Sequence, residues 1–383
     1  MATFTFQPAN LPAALGDLRK AVRSFLQAEE QRGAFTPACD AWLGGFVPEF
    51  SRKLGEFGFI GMTWPKQYGG RERSGFERYV VIEELLAAGA PVAAHWIADR
   101  QMGPLILRHG SEEQKQRFLP DMAKGLSYWA IGMSEPDAGS DLSAVRSKLT
   151  PDGDGWRLSG QKIWSSGAHE CHYMVALVRS GPAGESRHGG LTNVIVDLRD
   201  AAVTIRPIHL MDGGHHFNEV FFNDVYIPAS LVIGEVGDGW EQVTEELAYE
   251  RSGPERFLTT FPLLRAVVER SQVIRESYLT REVATLVSEL VSLRELSMSI
   301  AGILDSGGNP VVEAALVKDA GTNFERKVTE LAERMASEMP DRESDSLFSV
   351  LLAQSIFHGP GFTLRGGTNE ILRGIVARGL GLR

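Results

Sequence analysis

With 383 residues, 43% of them hydrophobic and 23% charged, the chain has the composition of an ordinary globular protein and the length for two or three domains. A formal net charge of −10 excludes the broad basic surface used on nucleic acid or anionic membranes, though not a phosphorylated small ligand held by a few backbone N–H groups and hydroxyls. No apolar run approaches the ~20 residues of a bilayer span, residues 1–10 lack a secretory signal, and Cys39 and Cys171 have neither disulfide-framework nor metal-ligand spacing, so a cytoplasmic protein without metal is expected.

The first third reads as helical. Residues 11–32, 46–57, 75–88 and 95–109 carry apolar side chains at three-to-four spacing. Ser111 to Gln114 forms a candidate capping box for a further helix with Phe118 and Met122 inward. No Gly-x-Gly-x-x-Gly follows a strand, so a Rossmann dinucleotide site has no support.

From about residue 126 the period changes. Short β-prone runs at 128–133, 156–158, 173–178, 192–198, 203–208 and 219–227 alternate with Gly, Pro, Asp and Asn, which predicts an antiparallel sheet or small barrel. Residues 180–190 have the composition of a hairpin loop. After Gly239 the helical period returns over 281–304, 312–335 and 346–357, as in a helix bundle.

Four stretches could carry chemistry. Residues 132–144 (Gly-Met-Ser-Glu-Pro-Asp-Ala-Gly-Ser-Asp-Leu-Ser-Ala) end a strand in a loop of small and hydroxyl residues, where backbone N–H groups, Ser134 and Ser140 can approach a flat or phosphorylated ligand. A well-made turn accounts for the same residues. Next, in Lys162-Ile-Trp-Ser-Ser-Gly167, the indole can stack on a ring and the hydroxyls can bond its edge, while Trp164 alone also reads as a core tryptophan.

The third is a charge on an apolar stripe. Trp240, Val243 and Leu247 predict the next inward position at Glu250 or Arg251, where a carboxylate needs a partner or a function. A structural Glu–Arg pair or a helix end before Gly253-Pro254 is the alternative. Last, Gly366-Gly367 permits close backbone approach, and Thr368 with Glu370 can equally be a plain helix cap.

Together these stretches resemble the acyl-CoA dehydrogenase family, in order and over essentially the whole chain. Residues 132–144 look like its first signature and Lys162 to Ser166 its flavin-stacking Trp with following hydroxyls. Residues 218–225 with Pro228 resemble the strand closing its β domain, and Gly367-Thr-Asn-Glu-Ile371 with Arg373 its C-terminal motif. The resemblance implies an α+β multidomain fold: a helical N-terminal domain (1–125), a middle β-barrel domain (126–236) and a C-terminal four-helix bundle (237–383).

It also implies FAD as cofactor. Ile131, Met133, Ser134, Gly139 and Ser140 would line the flavin, with Ser140 also near the thioester. Trp164, Ser165 and Ser166 would face the isoalloxazine, and Thr368, Asn369 and Glu370 the diphosphate or ribityl region. Most members carry the catalytic Glu directly before the Gly-Thr of the C-terminal motif. Gly366 stands there in this chain. A subset resembling isovaleryl- and long-chain-type dehydrogenases places that Glu on the first bundle helix before an Arg, which Glu250-Arg251 matches; Arg251, Gly366 and Gly367 would then join Ser140 around the substrate. The implied partners are an acyl-CoA in fatty-acid β-oxidation, an electron-transfer flavoprotein, and further subunits, as a homotetramer, a homodimer or a hetero-oligomer with a paralogous chain. The likeness stops at two places. No Arg-x-x-Phe-Gly segment lies between 275 and 293, and the glycine-rich stretch before the C-terminal motif is reduced to His358-Gly-Pro-Gly361. Those gaps motivate the alternative of an FAD-poor partner subunit; an oxygen-using oxidase of the same fold, with different chemistry, is a separate alternative.

Overall fold

A computed structural model describes residues 4–8, 12, 14–182, 184, 186–272, 277–338 and 346–382, with backbone only at 247–250, 252, 277 and 338. Helices α1 (Leu15–Gln31), α2 (Ala41–Gly44), α3 (Pro48–Phe57), α4 (Gly75–Ala87), α5 (Ala93–Ile97), α6 (Gly103–His109) and α7 (Glu112–Ala123) precede the sheet. Strands β1 (Trp129–Gly132), β2 (Lys148–Asp152), β3 (Gly155–Lys162), β4 (Tyr173–Arg179), β5 (Leu191–Asp197), β6 (Val203–Ile208) and β7 (Phe217–Pro228) follow. Then come α8 (Gly239–Ser252), α9 (Phe261–Ser271), α10 (Ser277–Asp305), α11 (Val311–Glu338), α12 (Leu347–Phe362) and α13 (Asn369–Gly379). Among the described residues no helix is long and apolar enough to cross a membrane.

The chain groups into two compact units, residues 1–45, 74–91 and 248–383 in one, 46–73 and 92–247 in the other. In the first, α4 packs against α1 and α10, and α11 against α10, α12 and α13. Ser74 opens α4 with a reciprocal capping box to Glu77. Two carboxylates on its buried face, Glu83 and Glu84, are held by Arg19 and Arg294, and by Arg19 and Arg23, respectively. Without those guanidinium groups their burial would be costly.

In the second unit the strand order is β1-β4-β2-β3-β7-β6, with β5 on the other side of β4, giving one curled sheet. The β4–β5 pair is antiparallel, so residues 180–190 are the hairpin connection that their composition predicts. The β2–β3, β3–β7, β6–β7 and β4–β5 pairs are antiparallel, whereas β1 runs parallel to β4. β4 and β5 are buried at nearly every position because both faces are covered. Met174, Ala176, Val194 and Val196 join one cluster; Val175 and Ile195 join another with Trp64, Met102, Phe118 and Met122. β2 escaped the sequence reading because Lys148-Leu-Thr-Pro-Asp152 buries only Leu149 and contains a proline.

The Ser111 capping box to Gln114 is present. The helix expected at 95–109 is broken: α5 and α6 are joined by a π-helical turn, Ala98–Met102. Pro104 in the first turn of α6 has no N–H to donate to the preceding turn, so the backbone there cannot keep the α register.

Candidate active site

Residues 132–144 leave the end of β1 and enter a loop pinned from beneath by a buried ion pair. Lys162, wholly buried at the end of β3, donates its three N–H groups to Met133 O (3.1 Å), Leu177 O (2.6 Å) and Glu135 Oε1 (2.8 Å). The backbone N–H groups of Arg146 (2.6 Å) and Ser147 (2.9 Å) reach the same carboxylate. Burial pushes the Lys162 ammonium down to about 8, against the pull of Glu135. Burial pushes Glu135 up, but Lys162 and the two amides outweigh it and hold the carboxyl below its usual range. Three acceptors around Lys162 Nζ require all three N–H groups of an ammonium, so the geometry is that of a charged pair. Above this pair Ile131, Met133 and Ser134 are half-buried, while Gly139 and Ser140 are exposed. Nothing lies within 4 Å of where a Cβ on Gly139 would stand.

Ile163 N–H donates to Ser134 O (2.9 Å), which brings this loop beside the turn that follows β3. In that turn Trp164 has φ +62° and is 53% exposed, with its ring perpendicular to that of Phe217. A left-handed conformation costs a non-glycine residue about 1–2 kcal/mol, so other contacts must hold it. Asn218, at the start of β7 and wholly buried, supplies them: Ser165 N–H donates to Asn218 O (3.0 Å), and Asn218 Nδ2 donates back to Ser165 O (3.0 Å). Ser166 is half-buried, and Ser165 buries its hydroxyl without a hydrogen-bond partner.

In the other unit, Gly366 and Gly367 have φ of +68° and +94°, left-handed values that favour glycine. Arg251 Nε donates to Gly366 O (3.0 Å), and the buried Lys318 Nζ donates to Gly367 O (2.7 Å) and Asn369 Oδ1 (3.2 Å). A Cβ on Gly367 would sit 3.1 Å from the Arg251 guanidinium. One residue upstream, Arg365 bridges both oxygens of Asp40 (2.7 and 2.8 Å) and covers the Trp42 ring. Thr368 caps α13 by accepting from Ile371 N–H. Asn369 turns its oxygen toward Lys318 and Thr322, whereas Glu370 is exposed. His358 to Gly361 lies inside α12.

Arg251 is buried, as its stripe predicts, with its guanidinium on the Gly366 carbonyl. Glu250 belongs to the α8 backbone, and its side chain, like that of Leu247, is outside the described residues. On the same helix Gln242, Val243 and Glu246 are buried, and Glu246 accepts from Gln101 (3.0 Å).

The sequence reading missed Glu135, Asn218 and Lys318 as supports, and quoted Lys162 only as the start of a motif. Alternation from Leu158 through Gly160 to Lys162 puts the lysine on the inward face of β3, and helical spacing from Ala314 does the same for Lys318. Each was a readable signal of a buried cation.

An exposed indole beside an unsatisfied buried hydroxyl, with further hydroxyls and an open glycine loop alongside, fits a flat heteroaromatic ring with hydrogen-bonding edges, such as a flavin.

The model of the acyl-CoA dehydrogenase N-terminal domain matches residues 14–126, and that of the middle domain residues 130–225. The chain is similar to acyl-CoA dehydrogenase FadE29 of Mycobacterium tuberculosis, 31% identical over 85% of this chain and 86% of that protein. It is also similar to acyl-CoA dehydrogenase IpdE1 of the same organism, 33% identical over 87% of each. Among solved structures, the Tcur3481-Tcur3483 steroid ACAD aligns with a TM-score of 0.84 at 28% identity, over 97% of this chain and 98% of that one. The ChsE4-ChsE5 complex from Mycobacterium tuberculosis aligns with a TM-score of 0.83 at 27% identity, over 98% and 100%.

Proposed function

Because this chain belongs to the acyl-CoA dehydrogenase family, whose members are flavin oxidoreductases acting on CH–CH groups, we propose that it oxidises the α,β bond of an acyl-CoA to the trans-2-enoyl-CoA with FAD as cofactor and Glu250 as base. The observation that carries the reading is the Trp164–Ser166 turn, which offers an exposed indole beside the half-buried Ser166 to a flat ring, with the Ser165 hydroxyl unpartnered behind it. Ile131, Met133, Ser134, Gly139, Ser140, Trp164, Ser165 and Ser166 would hold the flavin, and Thr368 to Glu370 its diphosphate or ribityl part. Bound FAD would supply the acceptor for the β-hydrogen and its electron pair. The division of the chain near residues 125 and 236 belongs to the same reading.

The α-hydrogen of a thioester is a weak acid, so its removal needs both a placed base and stabilisation of the oxygen that becomes enolate-like. Glu250 takes the α-proton onto its carboxylate. The Gly366 N–H is the donor for the thioester oxygen. Arg251 on Gly366 O and Lys318 on Gly367 O hold the two peptides that follow this donor. Since a backbone donor serves, glycine at 366 forfeits only the side-chain base, which the resemblance moves to Glu250.

For the acyl group, the likeness to a solved steroid ACAD supports including steroid side-chain thioesters beside linear and branched fatty acyl-CoAs. A second reading is favoured by the likeness to the ChsE4-ChsE5 complex and by the two absent motifs: this chain works beside a paralogous subunit. An electron-transfer flavoprotein is the proposed electron acceptor.

The deciding experiment is an anaerobic titration of the purified chain with linear, branched and steroid side-chain acyl-CoAs. Bleaching of bound flavin by one of them, reduced by at least about 10³-fold in rate in Glu250→Gln, supports the proposal. Bleaching that survives in Glu250→Gln removes Glu250 as the base. A protein that stays colourless with added FAD, but gains flavin with a paralogous chain, favours the second reading.

A further inference from the structure

We infer that Asn218 is the positioning residue of the flavin-facing turn, and that the His169–His215 ring stack, by orienting its amide, holds Trp164 to Ser166 in the geometry that meets the isoalloxazine. This deepens the reading of Trp164–Ser166 above and rests on it.

Trp164 has little reason of its own to keep a positive φ with half its surface exposed: its ring stands perpendicular to that of Phe217, with centroids 5.8 Å apart. What over-determines the turn is a closed pair of hydrogen bonds around one residue. Ser165 N–H donates to Asn218 O, and Asn218 Nδ2 donates to Ser165 O, both at 3.0 Å. Gly167 N–H adds a third tie to His216 O (2.7 Å).

The return bond depends on which way the amide of Asn218 faces. Its Nδ2 also lies 3.3 Å from His216 O and 3.1 Å from His169 Nδ1. Carbonyl oxygens only accept, so the NH₂ group must face them, which leaves Oδ1 to accept from His215 Nε2 at 2.8 Å. His215 therefore carries a proton on Nε2; the amide nitrogen cannot accept, so His169 Nδ1 is bare, and the two N–H groups serve Ser165 O and His169 Nδ1 with His216 O the longest contact. Burial, with His215 alongside, holds His169 below the usual histidine range and favours that neutral ring. The two rings stack at 4.0 Å with an interplanar angle of 21°, and each touches one end of the same amide. At a wholly buried position, Leu could make none of these side-chain contacts, and Asp could not donate to Ser165 O.

The test compares Asn218→Ala, His215→Phe and Trp164→Ala with the wild-type holoenzyme. FAD affinity is read by flavin fluorescence, the flavin by its visible spectrum, and turnover as kcat and KM separately. His215→Phe keeps a ring on His169 while deleting the donor to Oδ1, and serves if Asn218→Ala fails to fold. The expectation is that both variants loosen FAD and shift the flavin spectrum in the direction of Trp164→Ala. Asn218→Ala should lower kcat at least tenfold with KM for acyl-CoA within about threefold. If Trp164→Ala changes spectrum and affinity while the other two match the wild type, the inference is overturned and the reading of the turn stands. If Trp164→Ala itself leaves spectrum and affinity unchanged, that reading fails and takes the inference with it.

Discussion

Lys162 and Glu135 show how much depends on single side chains in this unit. Each is buried, and each spends its hydrogen-bonding capacity on backbone atoms of the 132–147 segment as well as on the other. Lys162→Met would take the ammonium from the buried Glu135 carboxylate, leaving it the Arg146 and Ser147 amides, and would free the Met133 and Leu177 carbonyls. Removing one partner of a buried pair costs about 3–5 kcal/mol, far more than the net worth of the pair itself. Chemical denaturation should show a loss of that size in Lys162→Met and a smaller one in the Lys162→Met, Glu135→Leu double variant. Equal losses would mean that Glu135 is not stranded by the single change.

At the scale of elements, the π-helical turn between α5 and α6 is where helical periodicity misled. Residues 95–109 carry one continuous apolar pattern, and Pro104 within it is the sequence feature that marks the change of register. Gly103 follows that turn, and a Cβ there would lie 2.1 Å from the Trp64 ring, so the bend lets a tryptophan pack directly on backbone. Gly103→Ala should destabilise the protein by about 1–3 kcal/mol through overpacking, despite alanine's better helix propensity. A midpoint of urea unfolding equal to or above that of the wild type would show that Trp64 can move aside.

For the whole molecule, the two units carry buried titratable groups that respond to pH in opposite senses. In the sheet-containing unit, His95 is buried against Ser51 Oγ (2.8 Å), and burial pushes it down to about 3. A folded-state pKa below the unfolded 6.5 means that the unfolded chain takes up the proton first. Stability is therefore whole above pH 6.5 and falls as pH drops toward 3, by up to about 1.4 kcal/mol per pH unit. In the helical unit, burial pushes Glu325 up to about 7 although Thr259 N–H donates to it and Arg365 is near. A raised pKa has the reverse consequence: stability is whole below 4.5 and is lost as pH rises through 7. Melting curves from pH 4 to 9 should therefore be flatter on the acid side in His95→Gln. Glu325→Gln should gain on the order of 1–3 kcal/mol at pH 8 relative to pH 4. Parallel curves for wild type and Glu325→Gln would place its pKa near the ordinary value.

Much of the architecture was legible in sequence because it follows from local rules. The 3.6 and 2 periods located most helices and strands, the Ser111 box and the Thr368 cap lay where their residue types require, and the order of motifs along the chain pointed to the family. Periodicity states that a face is buried but not against what. Only the folded chain put α1 and α4 with the C-terminal helices, α3 and α5 to α7 with the sheet, and β1 parallel to β4. The supports of the candidate site follow the same division. Trp164, Ser134 and Gly366 advertise themselves by type and spacing. Asn218 stands 53 residues from the peptide it holds, and Lys318 and Asp40 act on a loop at 365–369 that is far from either in sequence. A hydrogen bond between distant residues is set by where tertiary packing brings their backbones, which no local pattern of the sequence encodes.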